Sequence, residues 1–164
     1  VELIGDNVPF GVLPPLVLLL SILIAFATGT SWGTMAIMTP LAISMGYQLT
    51  GDVNMSIGMA GAVLSGAILG DHSSPVSDTT VMASIFSGAD HIDHVGTQLP
   101  YALTVGGVIL VLYTIYGFTA CNPLILLPVC LVLLCLLATV LHKIDLKRYN
   151  IDPSYADNMT KAFK

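Results

Sequence analysis

Lysine and arginine are missing from the first 142 residues. All five basic side chains, Lys143, Lys147, Arg148, Lys161 and Lys164, follow His142, whereas Glu2, Asp6, Asp52, Asp71, Asp78, Asp90 and Asp93 precede it. A nucleic-acid surface needs lysine and arginine against the phosphates, so no nucleic-acid partner is expected. Charge of either sign is scarce, at 9% of 164 residues, where an ordinary soluble domain carries about 25%. With 55% of the chain hydrophobic, a water-exposed globule could not be clothed. Cysteine is sparse too. Cys121, Cys130 and Cys135 form no C-x-x-C pair, which points to neither a disulfide framework nor a zinc site. No charged n-region, apolar h-region and cleavage site opens the chain, which reads as a fragment beginning within a longer protein.

What the chain does have is apolar length. A hydrocarbon core about 30 Å thick takes roughly 20 helical residues. Leu13 to Thr28 and Met35 to Tyr47 are apolar and flank a polar, glycine-containing Thr28–Thr34. Met55 to Leu69 and Thr79 to Ser87 likewise flank Gly70–Asp78. Each of these four pieces is short for a full span, so none is expected to cross alone. Residues 99–118 and 124–141 are long enough to span with modest adjustment, Pro123 and Pro128 favouring a late start or kink in the second. The expectation is an all-α, polytopic membrane protein, with a membrane domain over 1–142 and a polar tail over 143–164. The positive-inside rule puts that tail in the cytoplasm. Tracing back, the Thr119–Asn122 turn and the Gln48–Asn54 loop lie outside, and the Gly88–Gly96 loop inside.

In hydrocarbon, non-helical backbone is tolerated only where protein buries it or a watery cavity meets it, because unpaired amides and carbonyls there cost several kcal/mol each. Interrupted helices at the bilayer midplane are the usual architecture of ion sites in secondary transporters. Asp71 to Asp78 offers two carboxylates, an imidazole at His72, a proline, and the hydroxyls of Ser73, Ser74, Ser77, Thr79 and Thr80. Hard oxygen donors suit Na+, and no thiol lies nearby for a softer metal. An ionised aspartate in lipid needs a positive companion, and with no lysine or arginine available a cation or proton must fill that role. Burial favours the protonated form of a carboxyl, so one oxygen can hold a proton or exchange it for the metal. Asp71 and Asp78 are therefore the expected Na+ and proton-coupling residues, with Ser73, Ser74, Thr79 and His72 around them. Thr28, Thr30, Ser31 and Thr34 form a second candidate ion or substrate loop. Against these stand plainer readings: a helix-cap or packing role for Asp71, an N-cap for Asp78, a hydrogen-bonded neighbour for His72, and a simple turn with Trp32 as interfacial anchor for Thr28–Thr34.

The chain carries three other patterns. Gly58, Ala62, Gly66 and Gly70 make a small-residue stripe at helical spacing, which predicts close packing against a helix, even one outside this chain. Gly29-Thr30-Ser31-Trp32-Gly33 matches the G-x-S-x-G nucleophile elbow, but it follows an apolar helix rather than a strand, so no enzyme is expected. Asp90-His91-Ile92-Asp93-His94 could hold a transition metal or sense pH; a solvated loop is the plainer expectation.

Ala27 to Thr34, the string Gly70-Asp71-His72-Ser73-Ser74-Pro75-Val76-Ser77-Asp78-Thr79-Thr80, and Asp90 to His94 with Gln98 to Ala102 together resemble the C-terminal part of the NhaC-type Na+/H+ antiporters, over roughly residues 10–142. The resemblance implies a re-entrant hairpin over 13–47 entered from outside, a discontinuous helix over 55–87, and two further transmembrane helices over 99–118 and 124–141. It implies Na+/H+ exchange by alternating access in a bacterial inner membrane. No cofactor is implied beyond the transported Na+ and H+. The expected partners are lipid, the missing N-terminal half or a partner chain, and a second copy in a homodimer. Some such proteins exchange malate for lactate with Na+ and protons, so a carboxylate exchanger is the alternative. A non-transporting accessory fragment is a third.

Overall fold

A computed structural model describes residues 9–119 and 123–148; residues 1–8, 120–122 (where the turn was expected) and 149–164 lie outside the described residues. Every regular element among the described residues is helical. A 3-10 turn, Phe10–Val12, leads into α1 (Leu13–Thr28), then α2 (Ser31–Thr50), α3 (Val53–Ser73), α4 (Asp78–Ser87), α5 (His91–Thr119) and α6 (Pro123–Arg148). The chain divides into two units after Leu126. The first contains α1 to α5 and the beginning of α6. The second, from Leu127, is the rest of α6, whose Leu131, Val132, Leu136 and Val140 are all exposed. The protein is an all-α polytopic membrane protein. Phe10–Thr28, Val53–Ser73 and His91–Thr119 are each long and apolar enough to cross a bilayer, and Ile125–Leu141 is a shorter apolar helix.

Local chemistry explains where each helix stops. Pro14 and Pro15 sit in the first turn of α1, where a missing N–H costs nothing. Gly29 ends α1 in the left-handed region at φ 65°, donating its N–H to Ala25 O at 2.8 Å. Thr30 then caps α2, its Oγ1 accepting from Gly33 N at 3.3 Å. Asp52 caps α3 by accepting from Asn54 N at 2.9 Å. At the far end of α3, Ser74 is extended (φ −78°, ψ 130°) because a residue preceding proline is pushed out of the helical region. Pro75 cannot supply the next helical N–H, so the backbone restarts only at Asp78.

These boundaries shorten the expected interruptions. Between α1 and α2 only Gly29 and Thr30 are non-helical, and between α3 and α4 only Ser74 to Ser77. Gly70 to Ser73 remain helical because nothing before Pro75 removes a donor. The sequence suggested that the first and third apolar pieces were too short to cross alone; the helices that contain them, Phe10–Thr28 and Val53–Ser73, are long enough. α5 begins at His91, not Leu99, so Asp90 to His94 is not a solvated loop: Asp90 Oδ1 accepts from Ile92 N at 2.9 Å and Asp93 N at 3.2 Å and starts the helix there. α6 runs on through Arg148, into what was expected to be tail.

α3 is the centre of the first unit, packed along both α1 and α2, with α5 against α1, α3 and α4. The core is Leu13, Val17, Leu18, Ala42, Met55, Met59, Ala62, Val63 and Tyr116. The small-residue stripe finds its partners inside this chain rather than beyond it. A Cβ on Gly66 would lie 2.6 Å from Leu18 O, one on Gly70 would run into Ile22 O, and one on Gly58 into the Tyr116 ring. α1 and α3 thus touch backbone to backbone. In that contact Ser21 is fully buried, and its Oγ has no hydrogen-bond partner among the described residues.

Candidate functional site

Asp71 occupies the last turn of α3 and is 7% exposed. Across the break, Ser77 donates its hydroxyl to Asp71 Oδ1 at 2.7 Å. A serine has one proton, so the Thr79 hydroxyl, 2.8 Å from Ser77 Oγ, donates in turn. The carboxylate is thus held by a two-hydroxyl chain from the start of α4. No lysine or arginine precedes Lys143 to neutralise it.

The two interruptions meet. Ser74 donates its hydroxyl to Phe26 O at 2.7 Å, a last-turn carbonyl of α1 left without a helical donor, and accepts from Val76 N at 3.3 Å. A Cβ on Gly29 would fall 2.7 Å from Val76 O, and the positive φ excludes other side chains a second time. The turn between α1 and α2 is therefore pressed directly on the break between α3 and α4, one turn from Asp71.

The other residues named from sequence are placed unevenly. Ser73 is buried but turns its hydroxyl back to Leu69 O (2.7 Å) and Gly70 O (3.2 Å). Asp78 is exposed, and its Oδ1 accepts from the adjacent Thr79 N at 2.8 Å; it opens α4 as its first residue rather than capping it. His72 and Thr79 are exposed. In the α1–α2 turn, Thr28 donates to Ile24 O (2.8 Å) and buried Thr34 to Thr30 O (2.9 Å). Thr30 spends its oxygen on Gly33 N, Ser31 is half-buried, and Trp32 is 82% exposed. None of these hydroxyls bonds to Asp71. The structure brings the two segments together through backbone and Ser74.

Sequence reasoning counted Ser77 among the hydroxyls without choosing it, and missed Ser84 altogether. Ser77 reaches Asp71 only because the Pro75 break folds residues six apart onto each other. Ser84, buried on α4, lies 3.0 Å from His91 Nδ1 and 2.8 Å from His94 Nδ1, and His91 Nε2 lies 2.7 Å from Pro75 O. Among the described residues no group of three or more His, Cys, Asp or Glu could hold a metal ion.

The buried Asp71 carboxyl thus lies beside the proline break between α3 and α4, against which the Gly29 turn is pressed, in a stretch with no lysine or arginine before Lys143. The Na+/H+ antiporter family matches residues 2–118, and the chain belongs to that family. It is similar to the arginine/ornithine antiporter ArcD of Halobacterium salinarum (41% identical over 111 residues, 65% of this chain and 21% of that protein). It is also similar to the malate-2H+/Na+-lactate antiporter of Bacillus subtilis (34% over 132 residues; 71% and 28%). A third relative is an uncharacterized Na+/H+ antiporter of Haemophilus influenzae (37% over 100 residues; 61% and 21%). The chain spans between 21% and 28% of the length of these relatives. No solved structure matches it.

Proposed function

We propose that this chain supplies the ion-binding part of a secondary transporter that exchanges Na+ for H+ by alternating access across a bacterial inner membrane. The observation that carries the reading is Asp71: a buried carboxylate, bonded by a hydroxyl, in a stretch with no basic side chain. Such a group needs a mobile positive partner. Na+ or a proton on Asp71 satisfies it in turn, and their competition for one oxygen couples the two fluxes. Ser77 holds the carboxylate directly and Thr79 holds Ser77. Asp78, exposed at the start of α4, is the second carboxylate on the ion's route. The longer lengths of the relatives support a further half of the transporter outside these residues.

The test is Na+-driven proton flux in everted vesicles bearing the complete natural chain that contains this sequence. Na+ discharges a pH gradient with no organic anion present, and Asp71→Asn abolishes the discharge. Unchanged flux in Asp71→Asn would remove the assignment. A carboxylate exchanger is the second reading, supported by the malate/lactate relative. The α1–α2 turn would have to hold the anion with amides and hydroxyls alone, and a requirement for added malate or lactate in the same vesicles would favour it.

A further inference from the structure

Asp71 is held by Ser77, and Ser77 is aimed by the Ser74–Ser77 break. Two side-chain hydrogen bonds tie the break to the helices around it: Ser74, within the break, to Phe26 O of α1, and His91 of α5 to Pro75 O. The second contact comes from α5, sixteen residues along the chain. Its direction is fixed by elimination. A carbonyl only accepts, so His91 Nε2 carries the proton. In the neutral ring Nδ1 is then an acceptor for the Ser84 hydroxyl, whose other acceptor is Thr80 O at 2.9 Å; with the Ser84 proton on either, its oxygen accepts from His94 Nδ1–H. With that proton toward His91, four groups from α5, α4 and the break form one chain of donors running from His94 through Ser84 and His91 to Pro75 O. Bonds in such a chain polarise and strengthen one another. If the His91 ring gains a second proton, Ser84 turns its hydroxyl to Thr80 O, 2.9 Å away, and the bond to Pro75 persists. The grip therefore survives either protonation state.

We propose that His91 is a positioning residue of the ion site, holding the Pro75 carbonyl so that the break keeps Ser77 on Asp71, with Ser84 and His94 setting its tautomer. The proposal rests on the reading of Asp71 as the ion-binding carboxylate. The carboxylates nearest in the chain have their own partners: Asp90 Oδ1 bonds the first amides of α5 and Asp78 Oδ1 the Thr79 amide. No carboxylate oxygen of the described residues hydrogen-bonds either imidazole.

The experiment compares His91→Ala, His91→Gln and Ser84→Ala in the complete natural chain, by Na+-dependent proton flux at saturating and limiting Na+. His91→Ala raises the KM for Na+ about tenfold, the scale of one lost hydrogen bond, with maximal rate much less affected. His91→Gln, whose amide can still donate to Pro75 O, restores KM to within about threefold of the parent. Ser84→Ala falls between. Equal KM in all three, or a His91→Gln as impaired as His91→Ala, overturns the positioning role. Solid-state 15N spectra of histidine-labelled protein in lipid give a readout that needs no transport. The ring resonance lost in His91→Gln reports a protonated Nε2. A neutral Nδ1–H tautomer there overturns the grip itself, even if the parent proves to carry no Na+, and a parent with no Na+ flux but a protonated Nε2 sinks only the antiport reading.

Discussion

Ser77 donates to Asp71 from the far side of a helix break, at 2.7 Å, so the last turn of α3 and the first residues of α4 hold one carboxylate between them. A carboxylate at the end of an unbroken helix would find its neighbours three and four residues away on the same face. Here the partner is six residues on and belongs to a different helix. Any movement that separates α3 from α4 lengthens this bond, which ties the geometry of the proposed ion site to the geometry of the break.

The two aspartates should accordingly not be equivalent. Asp71→Asn removes the group proposed to exchange proton for Na+ and is expected to abolish coupled flux. Asp78→Asn alters an exposed carboxylate whose one described bond is to the next amide, and is expected to leave measurable exchange with a weaker Na+ dependence. Ser77→Ala raises the KM for Na+ by about tenfold, the scale of a hydrogen bond to a charged group. Dye-quench measurements of vesicle pH across a Na+ titration separate the three. Greater damage from Asp78→Asn than from Asp71→Asn would reverse the assignment.

The sequence made the ingredients of this site legible but not their pairing. The bare stretch before Lys143, the two polar interruptions and Pro75 were visible because composition and proline stereochemistry act locally. The extent of the interruptions was overestimated, since Gly70 and the serines look like loop residues until α1 packs on them; with Ile22 O against Gly70, a glycine is what a helix needs there. The role of Ser77 depended on how Pro75 folds the chain back, and that of His91 on α4 and α5 meeting through Ser84. Neither leaves a periodic signal.

Close backbone packing of α1 on α3 makes Gly70 and Gly66 sensitive to the smallest side chain. Gly70→Ala puts a methyl into Ile22 O, and Gly66→Ala puts one 2.6 Å from Leu18 O. Each is expected to destabilise the bundle by about 1–3 kcal/mol, the usual cost of overpacking, read as a lower melting temperature in detergent. Gly96→Ala, with open space around it, should melt like the parent and serves as the control.

Ser21 points the other way. Its hydroxyl is fully buried in the same α1–α3 contact without a partner among the described residues, and an unsatisfied buried hydroxyl costs about 1–3 kcal/mol. Ser21→Ala keeps the small volume that Gly66 requires and removes the unpaired group, so it is expected to raise the melting temperature. A clear drop instead would mean that Ser21 Oγ has a partner in the assembled transporter.

Ser73 and Ser74 adjoin in sequence and were equal candidates for ion ligands, yet the structure gives them different work. Ser73 bonds only carbonyls of its own helix, Leu69 O and Gly70 O. Ser74 joins the break to α1 by supplying Phe26 O with a donor. Ser74→Ala leaves that carbonyl unpartnered and loosens the break from the hairpin, so it should cost about 1 kcal/mol or more of stability and weaken Na+ affinity together. Ser73→Ala forfeits bonds that duplicate the helix's own, and its effect on stability should stay within about 0.5 kcal/mol. If Ser73→Ala instead abolishes Na+-dependent flux while melting like the parent, its oxygen binds the ion directly. Parallel melting and flux measurements on the pair therefore decide whether the serines of the break are scaffold, ligand or both.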